Sequence, residues 1–372
     1  MNEKKFIKNL KMSFIGISAI SSLLLSCSDN SNLKRTNENN IAYKMLQIED
    51  SIDTIPFNTI PSIKTLDSLI DNSKSYIEKK DFYDEKSLKK IGKKIHSEII
   101  KLNGIENSKD FCYKSALIYL AIGNANQIPF EIVDLGEHGF IQNNQDKKHN
   151  VLNHNAQVNK GDINIETTTG EIQKSQNGKY SDVYYINKFA LQKKGLEKRI
   201  YFKNLNEKEL LSLAYTQTAG NYLKKNMKNQ NDSWREKVIE YCNKAIELDS
   251  NFQSAYITLG IAESMKNEFP VSYSGHKKAI KHFEKALELF PSADAYFLIG
   301  NSYKELGHRK KAIENYTSAL NSIYELRKEF NKPKDYLKDL EVKCLFWRAQ
   351  MHEILGDEKS AEKDKFLLNK NL

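Results

Sequence analysis

The sequence predicts two domains of different class, an α+β domain over residues 44–203 and an all-α helical-repeat solenoid over 204–372. Three observations lead there. The C-terminal half repeats a helical pattern: "AIKHFEKALELF" (279–290) returns as "AIENYTSALNSI" (312–323), with an earlier copy, "VIEYCNKAIELD", at 238–249. The middle of the chain carries short β-rich runs punctuated by Gly, Asn, Asp and Lys, and a long apolar helical segment precedes them. The whole chain, 372 residues with 40% hydrophobic and 28% charged, is long enough for two cores and too apolar for a disordered protein.

The repeat half is the plainer of the two. Between the copies lie "AYITLGIAESMKNEF" (255–269) and "AYFLIGNSYKELGHRKK" (295–311), which place Ala-Tyr and then an apolar-Gly pair at the same spacing. A last pair follows in "CLFWRAQMHEILGDEKSAEKD" (344–364), and Gly307 and Gly356 mark the turn inside a helix pair. Leu306-Gly307, Ala312, Tyr316 and Ala319, in that order, resemble the tetratricopeptide repeat over roughly 205–370. Two spacings exceed that repeat's period, so insertions near 267–277 and 325–340 are expected to loop out. The resemblance implies a groove for a protein or peptide partner. His276, His282, His308 and His352 lie in or beside these helices and are expected at the surface.

In the other half, polar helical stretches over about 44–103 lead into "KDFCYKSALIYLAI" (109–122). Then come "FEIVDL" (130–135), "GFIQ" (139–142), "NHNAQV" (153–158) and "INIETTTG" (163–170), the alternation of an antiparallel sheet. A helix followed by such a sheet is an α+β arrangement. Asp110 is the expected N-cap, which sets Cys112 in the first helical turn, where free backbone N–H groups and the helix dipole favour a thiolate. Helical spacing from Cys112 runs through Ala116, Tyr119, Leu120 and Gly123, so the cysteine stands over a buried stripe. A cysteine so placed is ordinarily inert core. The residues that follow change its meaning: a nucleophilic thiol needs an imidazole in reach and an acceptor to orient it, and His138 and Glu166 come next in order.

The run from 111 to 170 resembles the transglutaminase-like core of bacterial papain-type proteins, in which a Cys opens a helix, a His strand follows and an acid strand completes the set. "CYKSALIYLAI…QIPFEIVDLGEHGFIQ" carries the first two parts and "NIETTTG" the third, with Glu166 where many members have Asp. The resemblance implies a papain/transglutaminase-like fold and catalytic roles for Cys112, His138 and Glu166 on peptide-like amides, by hydrolysis or acyl transfer. His154 is the alternative base, since "HNAQVNKGDINIETT" makes a tighter strand–turn–strand. The same fold could also serve without catalysis, as an interaction scaffold.

The first residues read as a targeting segment. "MNEKKFIKNLKMS" is basic and "FIGISAISSLLL" apolar but too short for a mature span. Leu24-Leu25-Ser26-Cys27 resembles the lipobox of bacterial lipoproteins. That implies a signal peptide over 1–26, acylation of Cys27, a flexible tether over 27–43 and a lipid-anchored protein of the cell envelope. Cys112, Cys242 and Cys344 then remain, an odd and scattered set with no Cys-x-x-Cys pair, so Cys112 is the expected free thiol. The net charge of +9 comes from dispersed Lys, without an arginine stripe, which argues against nucleic acid. No phosphate loop, dinucleotide fingerprint or metal-ligand spacing is present, so no cofactor is expected.

Overall fold

The computed structural model of the chain describes residues 40–50, 63–77, 84–102, 111–134, 139–143, 163–167, 169–172, 203–226, 233–265, 273–329 and 335–371. They fall into two units, divided between Thr218 and Ala219.

The first unit opens with helices α1 (Ile41–Asp50), α2 (Ile63–Ile77), α3 (Glu85–Ile100) and α4 (Phe111–Ala125). Helix α1 begins inside the stretch expected as tether, because Asn40 Nδ2 donates to the carbonyl of Ala121 and Ile41, Tyr43 and Met45 are buried. Tyr43 donates its hydroxyl to Asp67 of α2. Helix α3 is capped by Asp84, whose carboxylate accepts from the Ser87 N–H at 2.8 Å. It buries Leu88, Ile91, Gly92, Ile95 and Ile99 and turns its lysines outward.

Helix α4 is buried all round from Ser115 to Gly123, beyond the single stripe its spacing suggested. "SALIYLAIG" has no charge to place in water, so every face needs a neighbour. The other helices of the unit and a sheet supply them. Its C-terminus closes with the Ile128 N–H on Gly123 O (2.9 Å) and Gln127 at φ +57°, and Pro129 follows.

The sheet comprises β1 (Phe130–Asp134), β2 (Gly139–Asn143), β3 (Ile163–Glu166), β4 (Glu171–Ile172) and β5 (Lys203–Asn204), in the order β4-β3-β2-β1-β5 and antiparallel throughout. Register is explicit: Asp134 opposes Gly139, Ile132 opposes Ile141, and Ile141 opposes Ile165. Phe130 sits under Gly123 of α4, where a Cβ would lie 2.7 Å from the ring, and stacks at a tilt on Tyr119. Between β3 and β4, Gly170 at φ +66° turns the chain so closely over α3 that an added Cβ would meet the Cβ of His96 at 2.6 Å. The expected run 153–158 lies outside the described residues.

The remaining helices are α5 (Glu207–Asn226), in which the division between the units falls, then α6 (Ser233–Leu248), α7 (Gln253–Ser264), α8 (Tyr273–Leu289), α9 (Ala293–Glu305), α10 (Arg309–Glu329), α11 (Asp335–Ile354) and α12 (Glu358–Asn371). From α6 onward each helix packs on the next, and the packing is local chemistry repeated. Gly260 of α7 faces Phe283 of α8, and Gly300 of α9 faces Tyr316 of α10, with an added Cβ only 2.4 and 2.7 Å from the rings. Ala255, Ala279, Ala295, Ala312 and Ala319 are fully buried, which lets the helix axes approach.

The turns within pairs repeat as well. The segment 295–311 turns at Gly307 (φ +76°), where the His308 N–H reaches Tyr303 O and the Gly307 N–H reaches Lys304 O. Gly356 (φ +75°) does the same for α11, with Asp357 N–H on His352 O. These are left-handed positions that only glycine occupies without strain. The expected insertions are shorter than the spacing implied: α8 is already helical at Tyr273, and α10 and α11 together cover most of 325–340. They extend because Leu326, Leu337 and Leu340 are buried and Arg327 pairs with buried Glu341. Among the described residues, no helix is long and apolar enough to cross a membrane.

Candidate functional site

In the first unit, Cys112 is the second residue of the fifteen-residue α4. Strand β1 starts at the C-terminal end of that helix and packs on it, so it runs back toward the helix N-terminus. Its last residue, Asp134, pairs with Gly139, the first of β2. Glu166 stands one residue past the Ile141–Ile165 pair, at that same end of the sheet. Asp110, His138 and the alternative His154 lie outside the described residues, as does Cys27.

Glu166 is almost wholly buried (1% exposed), and so is Thr167 beside it. The backbone holds it in place: the Glu166 carbonyl accepts from the N–H groups of Thr169 and Gly170. The buried Tyr119 hydroxyl lies in its field and donates to Gly92 O at 2.6 Å, tying α4 to α3. Burial, above all, pushes that phenol far above its ordinary value, with the fields of Tyr76 and Glu166 adding to it, so it stays a neutral donor.

The second unit offers a face of a different kind. Where α9 meets α11, the Lys304 ammonium sits 3.9 Å above the Trp347 ring and pairs with Glu305 at 2.6 Å. His276 of α8 is half-buried near both, and burial lowers its pKa. His282, near Glu263 and Lys278, is depressed for the same reason. His352 hydrogen-bonds Asp357 at 3.0 Å. Of the four histidines expected at the surface, only His308 is exposed, and the other three are partly buried. The sequence reading did not single out Lys304 or Trp347; the signal was there in one of the chain's 2 tryptophans, falling within a repeat helix.

Behind this face, Arg348 of α11 forks onto Asp364 of α12, Nε to Oδ2 at 2.8 Å and Nη2 to Oδ1 at 2.6 Å, while Nη1 donates to Thr317 of α10 at 3.0 Å. Cys242 and Cys344 are both free and fully buried, and burial raises both thiols far above their ordinary range. No pairing between them relieves the odd count. Among the described residues, no group of three or more His, Cys, Asp or Glu is placed to hold a metal ion.

The tetratricopeptide repeat family profile matches residues 293–323, the α9–α10 pair. The chain therefore carries a tetratricopeptide repeat, a module suited to protein–protein interaction. Among solved structures, the crystal structure of MamA is similar at 20% sequence identity, over 46% of this chain and 95% of that one, with a TM-score of 0.30. No curated protein matches the chain.

Proposed function

We propose that the chain is a lipid-anchored envelope protein in which a transglutaminase-like thiol domain acts on peptide-like amides while the repeat domain holds a protein partner. Cys112 is the nucleophile, His138 the base that takes and returns its proton, and Glu166 the acceptor that orients the imidazole. The observation that carries this reading is the backbone order: a helix opening at Phe111, β1 returning along it, and the register that sets Glu166 at the end of the sheet where β2 begins. A base just ahead of β2 and an acid at the end of β3 require that order. Cys27, with its acyl chains, is the anchor, and residues 1–26 are the signal removed.

A second reading keeps the fold without the chemistry. The burial of Glu166 and Thr167 favours it, since residues so enclosed also serve as core, with the Glu166 backbone carbonyl holding the β3–β4 turn. Alkylation of the thiol against pH separates the two. Catalysis predicts that Cys112 reacts with a midpoint well below the ordinary thiol value of about 8.5, and that His138→Ala moves the midpoint back up while His154→Ala does not. A midpoint at the ordinary value, indifferent to both replacements, leaves only the scaffold.

A further inference from the structure

We propose that the outer face of the last helix pair is a self-association surface, on which α12 of one copy packs antiparallel on α12 of a second copy about a two-fold axis at Phe366. The inference is independent of the thiol chemistry and rests on the register of the repeats.

The turn glycines Gly307 and Gly356 align the α9–α10 and α11–α12 pairs, so each position in α9–α10 has a counterpart 49 residues later. In the α9–α10 pair, Leu306 is buried at 7% exposure, and Thr317 meets the next pair, accepting a hydrogen bond from Arg348. Their counterparts in the α11–α12 pair are Leu355 and Phe366, and these are 44% and 70% exposed, with Ile354 at 55% beside them. A single exposed apolar side chain is ordinary on any surface. Here three of the large exposed apolar side chains among the described residues fall on one helix pair, α11–α12 and its turn, and no described residue covers them.

The charges on α12 say what fits. Glu362 lies one turn before Phe366 and Lys370 one turn after it, and both are exposed. In an antiparallel pair centred on Phe366, Glu362 of each copy comes opposite the partner's Lys370, so the favourable contact occurs twice while the two phenyl rings meet on the axis. A head-to-tail arrangement would use this face once and leave an open end. The local partner of Glu362 is Lys365 at 2.7 Å, a surface pair that exchanges at little cost.

The test uses the full chain in light scattering across a concentration series. Wild type is expected as a concentration-dependent dimer, and Phe366→Glu as a folded monomer whose melt no longer depends on concentration, because the side chain it replaces is exposed within one chain. Glu362→Lys and Lys370→Glu should each weaken the dimer about five- to tenfold, and the double reversal should restore it. Phe366→Cys should cross-link two chains through the axis. A monomer at every concentration, a dimer indifferent to Phe366→Glu, a double reversal no better than the singles, or a ladder of higher oligomers would each overturn the proposal.

Discussion

Replacing Asp364 by Ala should open the last helix pair far more than any exposed ion pair would suggest. Asp364 is 3% and Arg348 16% exposed in their side chains, and the guanidinium makes two bonds to the carboxylate and one to Thr317. Removing the carboxylate leaves the cation desolvated without its partner, a loss of about 3–5 kcal/mol. At 1.4 kcal/mol per decade, that is roughly a 140- to 3700-fold more frequent opening. Repeat arrays open pair by pair, so the suitable assay is native-state hydrogen exchange at α11 and α12 amides and not a single melting temperature. The sequence supplies its own control. Counting back 49 residues, Arg348 and Asp364 correspond to Ile299 and Asn315 of the preceding pair, neither of which carries a charge. Arg348→Ile with Asp364→Asn should therefore stay within about 1–2 kcal/mol of wild type, since it leaves no charge buried without its partner. Less than about fivefold acceleration in Asp364→Ala, or a double variant as damaged as the single one, would refute the argument that desolvation dominates here.

Two more expectations concern the same unit. Gly300→Ala should cost about 1–3 kcal/mol, because its Cβ would lie 2.7 Å from the buried Tyr316 ring, which the Asn301 side chain also holds at 2.8 Å. A smaller partner, Tyr316→Leu, should recover part of the loss in thermal melts, and no recovery would mean the ring is not the obstacle. Stability should also fall as pH drops below about 6.5, the ordinary histidine value. Burial depresses His276, near Glu305 and Lys304, and His282, near Glu263 and Lys278, so the unfolded chain takes up protons first. Replacing both by Gln should flatten that limb of a denaturation series, and an unchanged slope would assign it to other groups.

The repeat half was legible because its determinants are local. Gly307 and Gly356 must stand where φ is positive, and Gly300 must stand where an aromatic ring closes on the helix, so both leave marks in the sequence at fixed spacing. Lengths were less legible. The tail of α10 is rich in Glu, Arg and Lys and reads as loop, yet Arg327 finds Glu341 across the gap and the helix persists. Arg348 and Asp364 look like solvated charges in sequence, and only packing shows that they face each other. In the first unit, the all-apolar run after Cys112 announced a central helix, and "INIETTTG" announced β3 and its turn. The position of Glu166 at the sheet end follows from register, which no linear spacing contains. The histidine assignment depends on residues 135–138 and 151–158, outside the described parts of the chain.

The two buried thiols also set a condition on how the chain reaches its fold. Cys242 lies on α6, while Cys344 sits in the core that α9, α10, α11 and α12 share. Neither side chain is reachable from solvent in the folded state. In oxidising surroundings both are open to attack only while the helices are still apart, so a bridge between them is a product of delay. Once the pairs close, burial holds both sulfurs in the unreactive protonated form. In such surroundings folding and oxidation compete, and any chains carrying that bridge would record that oxidation arrived first.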